Sequence, residues 1–332
     1  MNNNIDWQRF VQQIQASRKF LLTAHHRPDG DCIGSELAMY RILTRLGKEV
    51  RIVNPHQTPP NLQFLDPDSL ICPLKNLTDE VQHWLDTADT YFVLDTSSWQ
   101  QLGDFAPFFK KSKAKKLVLD HHVKGDDLGA EMFIDDNAEA TGTLVVLAAE
   151  ALGVPLTLDI AEPAFVAVAT DTGWFRFSNV KAETFRIAAK LLDAGVKQDE
   201  LYQKLYEQES LPRLRLVGRT LAKSEPYLDG QILITWILRE DFDAVGAKAS
   251  DSEDIINELL KVQGTQMAAL ISELKTGGFK ASFRSRCSVD CSVLARNFGG
   301  GGHQKAAGAS FNVSFEETKK AVVEAIIAAM QE

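Results

Sequence analysis

Three short apolar runs constrain this chain more than any other feature. They are Phe20-Leu21-Leu22-Thr23-Ala24, Tyr91-Phe92-Val93-Leu94 and Leu117-Val118-Leu119, and each stops abruptly at acids or imidazoles. Short continuous apolar runs are the pattern of strands buried on both faces, as in parallel sheets. His25-His26-Arg27-Pro28-Asp29-Gly30-Asp31 follows the first run, Asp95 the second, and Asp120-His121-His122 the third. Helical patterns lie between and after them, over residues 34–46, 77–85, 141–152 and 160–172, the last carrying Asp171. The alternation predicts an α/β fold whose N-terminal domain holds a mainly parallel sheet covered by helices. In such sheets, ligands bind beyond the carboxyl ends of the strands. That is where these acids and histidines fall.

With 332 residues the chain is long enough for two domains. A metal-binding catalytic domain is expected over residues 1–190 and a charged helical linker, interrupted at Pro212, over 191–222. A smaller α/β domain should occupy 223–332 and face the first across a cleft, with strands near 231–238 and 279–286 and helices near 255–260 and 315–330. A net charge of −9 excludes a protein that coats long nucleic acid. It leaves room for a small nucleotide or short oligomer in one local basic pocket. Cys32, Cys72, Cys287 and Cys291 form no CxxC pair and read as free thiols of a reducing compartment. With no basic-then-apolar leader and no run long enough for a membrane span, a cytoplasmic protein without a membrane partner is expected. Oligomeric state stays open, a homodimer being one option.

Five of the seven histidines lie in just three segments, His25-His26, His121-His122 and His303. If Asp29, Asp31, Asp95 and Asp171 share one site, it holds four negative charges. Two carboxylates about 4 Å apart repel by roughly 4 kcal/mol at an effective dielectric near 20. Four together require protonation or cations. Imidazole and carboxylate suit Mn²⁺, Fe²⁺, Co²⁺ or Mg²⁺. Two such ions would cancel the charge and lower the pKa of a shared water from about 15.7 to about 7, which suits attack on phosphorus.

A second constellation lies near the C-terminus. Gly299 to Gly302 are four consecutive glycines, followed by His303, and a glycine run lets backbone N–H groups approach an anion. Upstream, Arg284 and Arg286 are two apart on a predicted strand, so both leave one face. The expected anion pocket is made of Arg284, Arg286, Gly300, Gly301, Gly302 and His303.

These motifs resemble the DHH phosphoesterase family, named for its Asp-His-His triplet. The matches run in order: His25-x-x-Pro28-Asp29-x-Asp31, then Asp95, then Asp120-His121-His122, then Asp171, then the Phe283 to Arg286 and Gly299 to Gly308 segments. The resemblance implies two divalent ions, Mn²⁺ first, with Mg²⁺ or Co²⁺ as alternatives. It implies that His25, Asp29 and Asp95 hold one ion, and that Asp31, Asp95, His121 and Asp171 hold the other. Asp95, His122 and Asp120 would be the catalytic group: Asp95 bridges, His122 contacts the scissile phosphate or supports the ligands, and Asp120 orients the histidines. The length and C-terminal type are most similar to family members that cut short oligoribonucleotides to mononucleotides and take the 3′-phosphate from 3′-phosphoadenosine-5′-phosphate (pAp). Short RNA and pAp are therefore the expected substrates. A linear or cyclic dinucleotide phosphodiesterase, and a nucleotide sensor without turnover, are the alternatives.

Overall fold

A computed structural model of the chain describes residues 4–123 and 125–331. Lys124 lies outside the described residues. The chain divides into two compact units, residues 1–207 and 208–332. Residues 191–222 fall on both sides of that division. Pro212 does not break a helix there; it sits in the first turn of Leu211–Ala222, where its missing N–H has no intrahelical partner to lose.

The first unit is built on six strands: β1 (Lys19–Thr23), β2 (Glu49–Asn54), β3 (Ile71–Pro73), β4 (Thr90–Leu94), β5 (Lys115–Asp120) and β6 (Glu131–Ile134). They pair in the order β3-β2-β1-β4-β5-β6, every pair parallel. Alternate residues feed two cores. Phe20, Leu22, Phe92 and Leu119 face one side with the helices Gly30–Arg45, Thr141–Ala151 and Leu158–Asp171. Leu21, Tyr91, Val93 and Val118 face the other with Asp79–Thr87 and Ala106–Lys111. Each such fully buried side chain contributes about 1.5–3 kcal/mol, which holds the strand ends in fixed register.

The first helix after β1 starts at Gly30, four residues before the position read from the sequence. Asp29 is the reason. Its carboxylate accepts from the Cys32 N–H at 3.1 Å and caps the helix. Asp31 is thereby placed in the first turn. β6, a four-residue edge strand, and the short helices near residues 99–111 carry no periodic pattern long enough to be read from the sequence.

The second unit has a sheet of β7 (Glu225–Tyr227), β8 (Ile232–Ile237), β9 (Met267–Glu273), β10 (Phe279–Ser285), β11 (Gly301–His303) and β12 (Ala306–Phe311). Its order is β11-β12-β10-β9-β8-β7, antiparallel except for β8–β9. Ala281 and Phe283 face a core closed by the helix Phe315–Gln331. Lys280, Ser282 and Arg284 leave the opposite face of β10 by the two-residue period.

Candidate metal centre and anion-binding face

The carboxyl ends of β1, β4 and β5 lie side by side, so the residues after them converge. Three overlapping groups of side chains bring ligand atoms within 4.8 Å of one another: His25-Asp29-Asp95, Asp31-His121-Asp171 and Asp95-His121-His122. His25 Nε2 lies 3.3 Å from Asp95 Oδ2 and 3.7 Å from Asp29 Oδ1. His121 Nε2 lies 3.6 Å from an oxygen of each of Asp31, Asp95 and Asp171. The gaps of 3.6–3.7 Å are too long for good hydrogen bonds. They match two ligands on one cation, since ligands at about 2.1 Å with angles of 90–120° stand roughly 3.0–3.6 Å apart. The donor set of carboxylates and imidazoles fits hard or borderline divalent ions.

Close helix packing assembles the centre. A Cβ on Gly34 would lie 2.3 Å from the Pro163 carbonyl oxygen, and one on Gly142 would lie 2.4 Å from Ala167 Cβ. Both glycines let their helices approach Leu158–Asp171, and Asp171 ends that helix beside Asp31. The Asp31 carboxylate accepts from the N–H groups of Thr141 (2.7 Å) and Gly142 (2.8 Å) and from Ser35 Oγ (3.0 Å). It therefore caps the N-terminus of Thr141–Ala151, an anion-favouring position. Thr141 Oγ1 also donates to Asp95 at 3.0 Å. Thr141 and Gly142 escaped the sequence reading. The only signal was a Thr-Gly start to an apolar helix.

Asp95 adopts φ +60° directly after β4, with its N–H on the Leu119 carbonyl. A non-glycine residue in this region carries about 1–2 kcal/mol of strain. The two histidines of the triplet are oriented by different partners. Asp120 takes the His122 Nδ1–H at 2.8 Å. His121 donates Nδ1–H to the Ala138 carbonyl at 3.3 Å. His121 thus turns Nε2 toward Asp31, Asp95 and Asp171.

Electrostatics show the stress of the cluster. Burial, then the charges of Asp95 and Asp171, push Asp31 well above the usual carboxylate range, against the pull of the two backbone donors. Burial also raises Asp171. Burial works against a charged His25, but the neighbouring carboxylates of Asp29 and Asp95 prevail and raise it to about 10. The hydrogen bond that His122 donates to Asp120 raises its imidazole to about 8.

The second constellation lies wholly in the C-terminal unit. Sheet register sets Arg284 opposite Ala306, and Ala306 opposite His303. Paired residues share a face, so Arg284 and His303 bound one row across three strands. The next row is Ser282, Gly308 and Gly301, nearly bare backbone. Gly300 and Gly302 have a packing job that the sequence did not reveal. A Cβ on Gly300 would lie 2.2 Å from the Gly308 carbonyl oxygen, and one on Gly302 2.6 Å from that of Ala306, whereas Gly301 faces open space. Arg286 is exposed just past β10.

A parallel sheet whose strand ends, with one helix end, gather four aspartates and three histidines around divalent-ion geometry defines a metal-dependent phosphoester hydrolase. Comparisons with known proteins agree. The DHH family N-terminal domain matches residues 19–168, and the DHHA1 domain matches residues 229–332. The chain is 33% identical over 307 residues to the bifunctional oligoribonuclease and PAP phosphatase NrnA of Thermus thermophilus, covering 92% of this chain and 88% of that protein. An exopolyphosphatase-related protein from Bacteroides fragilis has a solved structure 25% identical to this chain, with a TM-score of 0.81 over 99% of this chain and 98% of that one. The exonuclease RecJ bound to manganese shares the fold at TM-score 0.53 and 16% identity, over 98% of this chain and 96% of its own. This chain belongs to the DHH family.

Proposed function

We propose that the protein hydrolyses short oligoribonucleotides to mononucleotides and removes the 3′-phosphate of pAp, using two divalent ions, Mn²⁺ in preference to Mg²⁺ or Co²⁺. The observation that carries this reading is the pair of ligand sets, His25-Asp29-Asp95 and Asp31-His121-Asp171, placed so that Asp95 stands next to both. When bound, the ions supply Lewis-acid polarisation of the phosphate and an activated water. Asp95 ties the two sets together. His122, its Nδ1 committed to Asp120, offers Nε2 to a phosphate oxygen. Asp120 keeps that tautomer and is a positioning residue. In the C-terminal unit, Arg284, Arg286 and His303 bind the substrate's other phosphate or its terminal nucleotide. Bare Gly301, with nothing within 4 Å of where a Cβ would stand, leaves room for the sugar and base. A cytoplasmic setting accords with four free cysteines.

The test is hydrolysis in Mn²⁺ of a 5′-labelled RNA trimer, a 24-mer of the same composition, and pAp. Loss of the trimer and phosphate release from pAp, with the 24-mer nearly untouched, is the expected result. An inert trimer together with inert pAp would overturn the substrate assignment.

A further inference from the structure

Arg27 stands on a wall common to two cavities of the N-terminal unit. One is the metal cavity. The other, of about 690 Å³, has walls of Pro55, Pro59 and Leu74 and carries His56 and Lys75. No step of the proposed mechanism uses it. Its size lies within the range of small-ligand sites.

The wall chemistry is specific. Prolines and a leucine give rigid apolar surface beside an aromatic ring, while Arg27 and Lys75 are permanent cations against the single carboxylate of Asp104. The His56 ring packs edge-on with His26, centroids 5.8 Å apart at 78°. His26 is itself pinned, its backbone N–H 2.7 Å and its Nδ1 3.1 Å from the Gln101 carbonyl oxygen. A ring braced in this way has little freedom to lose when a base stacks on it. Lys75 Nζ spends one proton on Gln57 at 2.8 Å and has two left for an anion. Apolar walls, a braced ring and two cations are what a nucleotide needs: a stacking surface for its base and counter-charge for its phosphate.

We infer that this cavity binds the nucleotide adjoining the one whose phosphate is cleaved, with its base against His56 and the prolines and its phosphate paired with Arg27 and Lys75. This rests on the reading of the metal centre as a short-RNA hydrolase. It adds a division of labour. pAp has one nucleoside and nothing to place in the cavity, whereas a dinucleotide has a second base to anchor there. The cavity therefore serves oligonucleotide substrates and is dispensable for pAp.

The test compares the full-length protein with a His56→Ala/Lys75→Ala double variant in Mn²⁺, on 5′-phosphorylated diadenylate and on pAp. A fall of about tenfold or more in kcat/KM for the dinucleotide, carried mainly by KM, is expected. Turnover of pAp should stay within about twofold, since neither side chain contributes to the metal centre. Equal losses on both substrates, or no loss on either, would overturn the assignment. A calorimetric titration with AMP reads the cavity independently of turnover. The double variant should lose a binding equivalent or bind about tenfold more weakly, and superimposable isotherms would sink the site. If the wild-type protein cleaves neither substrate, the functional reading falls, and the AMP titration alone decides the cavity.

Discussion

Gly34→Ala tests whether close helix packing sets the metal geometry. The added Cβ would sit 2.3 Å from the Pro163 carbonyl oxygen and 3.0 Å from Ala167 Cβ, where ordinary contact begins at 3.4 Å. Both obstacles belong to a packed helix, so neither can swing aside. The helices Gly30–Arg45 and Leu158–Asp171 must part by on the order of 1 Å. Overpacking of this kind costs about 1–3 kcal/mol. At about 2–4 °C per kcal/mol, Tm should fall by roughly 2–12 °C. The functional effect should be larger. Asp31 rides on one helix and Asp171 on the other, and both stand 3.6 Å from His121 Nε2. A displacement near 1 Å at a reacting centre costs about a hundredfold in rate. Thermal unfolding with and without Mn²⁺ reads the first effect and kcat/KM on a short RNA reads the second. Gly218→Ala is the control. That glycine is exposed on the helix Leu211–Ala222 with nothing within 4 Å of its Cβ, so alanine should stabilise by up to about 1 kcal/mol and leave turnover alone. Unchanged Tm and unchanged kcat/KM in Gly34→Ala would refute the packing argument.

Further expectations concern charge. Asp95→Ala should abolish turnover, because the residue stands next to both ligand sets, and substantial hydrolysis with Mn²⁺ present would remove it from that role. Loading Mn²⁺ at pH 8 should release at least one proton per chain, since a metal-free His25 stays protonated up to about 10 and an imidazolium cannot ligate. Calorimetry in buffers of different ionisation enthalpy measures this, and zero release would contradict it. Glu36 is buried beside Asn54, whose Nδ2 donates to it at 2.6 Å, and burial lifts its carboxyl to about 8. Because the folded pKa exceeds the unfolded one, its contribution is full below about 4.5 and is lost as pH rises toward 8, by up to roughly 5 kcal/mol. Glu36→Gln should therefore gain stability relative to wild type between pH 5 and pH 8, and a pH-independent difference would show that Glu36 does not titrate in that window.

What could be read from the sequence was what depends on local pattern. The change from Leu94 to Asp95, or from Leu119 to Asp120, marks a strand end because a buried face cannot accept an unpaired charge. Strand ends of a parallel sheet lie at one end of it, and the adjacency of β1, β4 and β5 makes the acids there neighbours. The early start of the helix at Gly30 was hidden because glycine reads locally as a turn residue. Glycine at that position has a tertiary reason instead: a Cβ there would lie 2.4 Å from Thr170 Oγ1. β9, Met267–Glu273, was missed for a related reason. Met-Ala-Ala-Leu has helical propensity, and only its place between β8 and β10 makes it a strand.

The least legible part of the centre is the part made of backbone. The Ala138 carbonyl that orients His121, and the Thr141 and Gly142 N–H groups that hold Asp31, belong to groups every residue carries. No residue type announces them. Yet they decide which nitrogen of His121 faces the cavity and keep a buried Asp31 from being wholly dependent on cations. The side chains name the chemistry, and the position of one helix N-terminus decides how they are held. By this argument, substitutions on the first turn of Thr141–Ala151 that shift its axis would disturb the centre as much as loss of a ligand, although they touch no ion.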